Sequence, residues 1–111
     1  MNVTLTTTGR RTGKPRPVTL YAWDDGDRVV VVGSRGGAAK DPDWVGNLRA
    51  DPRATVKQGR DVREVRASEV DGSERDRLWA LVVEAFPLYS TYQRKTKRVI
   101  PLFVLETVGG T

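Results

Sequence analysis

From Val3 to Thr8 the chain alternates apolar and polar positions, with Val3 and Leu5 set among threonines. A period of two in β-branched residues predicts a half-buried strand, which Gly9 ends. Two further β-rich runs, Val18 to Trp23 and Arg28 to Ser34, flank Asp24-Asp25-Gly26-Asp27. Its Asp-Gly pair supplies the positive φ that a hairpin turn needs. Gly36-Gly37-Ala38-Ala39 then reads as a flexible loop of small residues. Asp41-Pro42 after it places an N-cap residue ahead of a proline at the first helical position. A short helix through Trp44 to Leu48 follows, and Asp51-Pro52 stops it, because the residue before proline is driven out of the α region.

Arg53 to Gln58 and Val62 to Val70 predict a second hairpin, turning at Gly59-Arg60-Asp61, and the apolar phase slips between Val62 and Val65 as a bulge would make it. Ser73-Glu74-Arg75-Asp76 resembles a capping box with Asp in place of Glu. It would open an amphipathic helix whose stripe is Leu78, Leu81, Val82 and Ala85. Pro87 interrupts that pattern, and a more polar helical segment over Tyr89 to Lys97 precedes a last strand from Val99 to Thr107. The early strands succeed one another without helical crossovers, which disfavours a parallel sheet. The expected fold is mainly β (α+β): a small barrel of about six mostly antiparallel strands with a few helices outside it. Its 111 residues form one domain, 1–111.

Composition narrows the chemistry. With 19 Lys and Arg against 14 Asp and Glu the formal charge is +5, so the surface favours phosphates, nucleic acids or acidic lipid headgroups without choosing among them. The absence of Cys and His removes thiol nucleophiles, imidazole bases, disulfides and the usual transition-metal sites. No apolar run approaches a membrane span and the start does not read as a signal peptide, so the default expectation is cytoplasmic. The run Arg94-Lys95-Thr96-Lys97-Arg98 reads as a solvated helix face, with peripheral contact to an acidic membrane as the alternative.

Gly9-Arg10-Arg11-Thr12-Gly13-Lys14-Pro15-Arg16 sets four cations and two glycines between two predicted strands. Glycine lets the backbone approach a ligand, and guanidinium pairs bidentately with phosphate or carboxylate, so this is a candidate anion trap. A solvated basic hairpin explains the charges as well. Ser34-Arg35-Gly36-Gly37 follows a strand, and its amides and hydroxyl are candidates to meet the polar edge of a flat ring, with an ordinary turn as the bland alternative. Trp44, Asn47 and Leu48 share one helical face, and Tyr89 and Tyr92 stand three residues apart on another. Core packing accounts for Trp44 as well, and for Tyr89 and Tyr92 a structural role, with the ring packed and the hydroxyl exposed, is the favoured alternative. With His and Cys absent, tyrosine is the natural candidate acid.

Three separated blocks carry a more specific signal: Leu5 to Arg16, Ser34 to Trp44 and Asn47-Leu48, with Pro87 to Gln93 and Arg98-Val99-Ile100-Pro101 further on. Together they resemble the deazaflavin-dependent nitroreductase family over nearly the whole chain. The resemblance implies a split β-barrel, related to the FMN-binding oxidoreductases, that holds coenzyme F420 and passes its hydride to an electron-poor acceptor such as a quinone, enone or nitroheteroaromatic. It implies that Arg10, Arg11, Lys14 and Arg16 meet the phosphate and glutamate tail. Val18, Thr19, Ser34, Arg35, Gly36, Gly37, Lys40, Trp44 and Asn47 would complete the cofactor site. Tyr21, Ser34, Tyr89 and Tyr92 would face the substrate, with Tyr89, Tyr92 and Ser34 as the catalytic hydrogen-bond donors. Lys95 stands where nitroreductases carry an aromatic residue, which argues against bulky bicyclic nitroimidazoles. FMN in the same fold, a coenzyme carrier without turnover, and a nucleic-acid-binding barrel are the competing readings. The oligomeric state, monomer or homodimer, is open.

Overall fold

Six strands close into a ring in the order β1-β2-β3-β6-β5-β4, and every neighbouring pair is antiparallel. They are β1 (Asn2–Thr8), β2 (Pro15–Asp25), β3 (Arg28–Val32), β4 (Arg53–Gln58), β5 (Asp61–Glu69) and β6 (Leu102–Thr107). The computed structural model describes residues 1–108. Three α-helices accompany the barrel among these residues: α1 (Asp43–Ala50), α2 (Gly72–Ala85) and α3 (Leu88–Lys95), with a single 3-10 turn at Arg35–Gly37. The mainly β architecture expected from the spacing of strands and turns is the one observed.

The two sides of the barrel wall differ, and the sequence shows why. The β6 run Leu102-Phe103-Val104-Leu105 is buried throughout, as are Val30 and Val31 on β3, because both faces of these two strands are covered. Val31, Phe103 and Leu105 point into the barrel with Val3, Leu5, Ala22, Val56, Val65 and Ala67. Val30, Leu102 and Val104 point outward, where Leu78 and Val82 of α2 and Tyr89 of α3 cover them. A continuous apolar run is the signature of a strand buried on both faces, whereas β1 keeps its alternation because one face stays wet.

Several expectations need correction. Only α2 and α3 lie outside the barrel: Trp44, Val45 and Leu48 of α1 belong to the interior cluster, so α1 closes one barrel end. The N-cap position of α1 is Pro42, not Asp41. The Asp41 carboxylate instead accepts from Arg98 at 2.8 Å and Arg49 at 3.0 Å. The second hairpin has no bulge, since pairing runs unbroken from Gln58↔Asp61 to Arg53↔Arg66. Val62 lies 62% exposed on the outer face, which accounts for the slipped phase. The supposed capping box lies inside α2, whose N-cap is Asp71 without a side-chain cap. The helix after Pro87 ends at Lys95, and β6 begins at Leu102, leaving Val99 exposed ahead of it.

Candidate active site

The loop between β1 and β2 is built by its glycines. Gly9 donates to the Lys14 carbonyl at 2.8 Å and Gly13 to the Gly9 carbonyl at 2.7 Å, while Gly13 adopts φ 70°. This folds Arg10, Arg11 and Thr12 back over the mouth of the barrel beside α1. A Cβ on Gly9 would lie 2.9 Å from Thr12 Oγ1 and 3.2 Å from the Arg16 side chain, so a larger residue there would push these two side chains aside.

Asn47, 4% exposed, ties the loop to the barrel. Its Oδ1 accepts from the Arg10 main-chain N–H at 3.1 Å and from Arg10 Nη1 at 2.8 Å, and its Nδ2 donates to Thr7 Oγ1 at 3.0 Å. Arg10 Nη1 also donates to the Asp43 carbonyl at 3.0 Å, and the Arg10 and Asp43 side chains approach to 3.7 Å. The Arg10 guanidinium lies so close over α1 that a Cβ on Gly46 would sit 2.9 Å from its Cζ. Arg10 and Asn47 are therefore largely occupied in holding the loop. Thr7 and Gly46 complete this arrangement; neither was singled out from the sequence, and nothing in a threonine-rich strand or a lone helical glycine would have marked them.

A groove of about 570 Å³ opens beside this construction, lined by Thr7, Gly9 to Thr12, Arg16 to Val18, Arg35, Pro42 to Trp44 and Asn47. Seven residues expected at the cofactor converge here: Arg10, Arg11, Arg16, Val18, Arg35, Trp44 and Asn47. Arg28, Arg49, Arg53, Arg77 and Arg98 each pair with a carboxylate within about 3 Å. Among the described residues, Arg11, Lys14, Arg16 and Arg35 pair with none, as do most of the other Lys and Arg side chains; what sets Arg11, Arg16 and Arg35 apart is that they line one groove together. Trp44 is 7% exposed and packs edge-on to Phe103 at 5.8 Å, so it joins the wall through a core contact.

Arg35 reaches the groove from an unusual backbone. It holds φ 46°, followed by Gly36 at 64° and Gly37 at 82°. For a residue with a side chain the left-handed region costs roughly 1–2 kcal/mol, so something must hold it. Gly37 packs on α3, where an added Cβ would meet the Tyr92 carbonyl at 2.7 Å. Arg98 clasps the other flank, donating to the carbonyls of Gly33, Ser34 and Ala38. Gly36 has open space beside it and is the glycine here that a ligand can approach.

The remaining expected residues lie outside the groove lining. Lys14 is at the exposed loop tip and Lys40 is exposed beyond the 3-10 turn. Thr19 faces the outer side of the barrel opposite Thr4, in a shallow depression with Lys57 and Gly59. The tyrosines form a separate aromatic group: Tyr21 meets Trp23 at 4.5 Å, Trp23 meets Tyr89 at 6.3 Å, and Tyr89 meets Tyr92 at 6.3 Å. Trp23 Nε1 donates to the Tyr89 hydroxyl at 3.3 Å, leaving the phenol proton free to be donated. Burial pushes the Tyr89 pKa upward, keeping that proton in place at neutral pH.

The charge of the groove suits more than one class of anion, and comparison with known proteins narrows the choice. Residues 1–107 match the family model of F420H2-dependent quinone reductases. The chain belongs to this family. An F420H2-dependent quinone reductase of Mycobacterium tuberculosis is 38% identical over 104 residues, covering 91% of this chain and 70% of that protein. The structure of an F420-H2 dependent reductase superposes with a TM-score of 0.85 at 42% identity, covering 95% of this chain and 93% of that one. A further solved structure, described as a domain-swapped dimer, gives a TM-score of 0.86 at 42% identity, with coverages of 95% and 79%. Membership of the F420H2-dependent quinone reductase family makes the chain an oxidoreductase dependent on coenzyme F420, in agreement with the resemblance read from its blocks. No helix among the described residues is long and apolar enough to cross a membrane.

Proposed function

We propose that the cationic groove holds the phosphate and carboxylate tail of coenzyme F420, so that its ring is presented to a quinone. The observation that carries this is the convergence of Arg11, Arg16 and Arg35, three guanidiniums without carboxylate partners, on one groove of about 570 Å³. That volume lies within the range of small-molecule sites. Charge left uncompensated in the folded protein is charge available to a polyanion. When bound, reduced F420 supplies the hydride. The protein's part is to bind, orient and hydrogen-bond.

Arg11 and Arg16 are placed to take tail oxygens, with Lys14 reachable from the loop tip. Arg10 and Asn47 keep the loop in place. Arg35 and the open side of Gly36 stand where the loop leads from the groove toward α3. Tyr89 and Tyr92, with Tyr21 and Ser34, are the proposed donors to the acceptor oxygen as negative charge grows on it. A protonated phenol whose oxygen already accepts from Trp23 suits that role.

Nucleic-acid binding is disfavoured because the groove offers no exposed stacking ring: its aromatic residue, Trp44, is buried. FMN would use the phosphate contacts but leave the further cations unmatched. Mixing protein and F420H2 with a water-soluble quinone, under anaerobic conditions, should oxidise the coenzyme in step with quinone consumed. Oxidation no faster than without protein would refute the assignment.

A further inference from the structure

Arg98 reads from sequence as one cation in a basic run, yet its side chain is only 14% exposed and points into the protein. Its Nε donates to the Ala38 carbonyl at 2.8 Å. Nη1 donates to the Gly33 carbonyl at 3.0 Å and to Asp41 Oδ1 at 2.8 Å, and Nη2 to the Ser34 carbonyl at 2.7 Å. One planar fork thus spans both ends of the segment 33–41 and uses four of its five N–H donors. The fork is itself fixed from α3: the Arg98 carbonyl accepts from Gln93 Nε2 at 2.7 Å, and Gln93 Oε1 accepts from Ile100 N at 2.9 Å. Asp41 is shared with Arg49, which is bound in turn by Glu69 on β5.

The segment so clasped carries Arg35 in its left-handed conformation into the groove. We infer that Arg98 is a positioning residue for the coenzyme, acting through Arg35 by locking the 33–41 segment in the shape that aims this guanidinium at the groove. The inference rests on the assignment of the groove to F420. A lysine cannot replace the fork, because one ammonium does not reach the Gly33, Ser34 and Ala38 carbonyls in a single plane. A general stabilising role would predict loss spread over the whole barrel. A positioning role predicts loss confined to this segment and to whatever Arg35 contributes.

The test uses full-length Arg98→Lys, Arg98→Ala, Arg35→Ala and the Arg98→Lys/Arg35→Ala double variant. Hydrogen exchange should be accelerated on the order of tenfold in Arg98→Lys at the Gly37 and Ala38 amides, which close the turn on Ser34 and Arg35, while β3 amides stay protected. The Kd for F420, from fluorescence titration, should rise on the order of tenfold in Arg98→Lys and in Arg35→Ala, with no further rise in the double variant. Unchanged exchange at Gly37 and Ala38 would overturn the inference whether or not F420 binds. Faster exchange with unchanged Kd, or effects that multiply in the double variant, would overturn it too. Should Arg98→Ala fail to fold, Arg98→Lys carries the same readouts. Failure of the wild-type protein to bind F420 would instead sink the coenzyme assignment, and with it the role through Arg35.

Discussion

Replacing Asn47 by alanine removes three hydrogen bonds from the hinge of the basic loop: two accepted from Arg10 and one donated to Thr7 Oγ1. A neutral bond contributes about 1 kcal/mol net, and one to a charged group about 1.5–3 kcal/mol. The Arg10 side chain is 32% exposed and can regain water, but Thr7 is 1% exposed and cannot. The expected loss is therefore about 2–3 kcal/mol, a sizeable share of the roughly 5–15 kcal/mol that holds a domain together. Urea unfolding should show it as a lower midpoint with an unchanged slope, and Tm should fall by roughly 10 °C. Freed of Asn47, the loop no longer presents Arg11 at a fixed distance from Arg16, so F420 affinity should fall along with stability. Asn47→Asp keeps an acceptor for Arg10 and loses only the donation to Thr7, so its stability loss should be smaller. A change under about 0.5 kcal/mol in Asn47→Ala, with F420 binding intact, would refute the view that this side chain builds the site.

Four further outcomes follow from the same structure. Gly37→Ala should cost about 2 kcal/mol or more in denaturant unfolding, since φ 82° and a main-chain oxygen 2.7 Å away leave no escape, whereas Gly36→Ala, at φ 64° with open space, should cost only about 1 kcal/mol; equal costs would contradict the packing of the turn on α3. Hydrogen bonds from Arg77 and then Arg28 hold the Asp25 pKa down to about 2. Because the folded value lies below the unfolded one, its stabilisation is complete above about pH 4 and fades as pH falls toward 2, so Asp25→Asn should flatten the stability profile in that window. Arg16→Ala should weaken F420 binding by about tenfold or more and make it less sensitive to salt, measured by titration at two ionic strengths. Tyr89→Phe and Tyr92→Phe should lower kcat for quinone reduction while leaving the Kd for F420 unchanged; a loss of coenzyme affinity instead would move these residues to the cofactor side.

Strand content was legible because β1, the β2–β3 hairpin and β4 carry their own period and turn residues; the ring order, which sets β6 between β3 and β5, was not. Val30-Val31 and Leu102 to Leu105 are unbroken apolar runs that the structure shows buried on both faces, and nothing in the runs themselves names the helix that covers them. Local signals misled where a tertiary partner outbid them. Asp41 and Ser73 look like helix caps, but Asp41 is drawn to Arg98 and Arg49, and α2 begins before Ser73. The basic loop was visible as charge, and its division of labour was not. Nothing in four neighbouring cations says that Arg10 holds the loop while Arg11 and Arg16 stay unpaired, because that depends on a buried asparagine 37 residues away. Arg98 was hidden for the same reason: its carbonyl partners lie about 60 residues upstream.

The central claim is that uncompensated guanidiniums around the groove select a coenzyme with an acidic tail. A fluorescence titration of the protein with F420 and, in parallel, with FMN tests it most directly. Saturable binding of F420 in the micromolar range, weakening as salt is raised, with FMN bound much less tightly, is the predicted result. Equal affinity for the two coenzymes, or no saturation by F420 at moderate ionic strength, would contradict it.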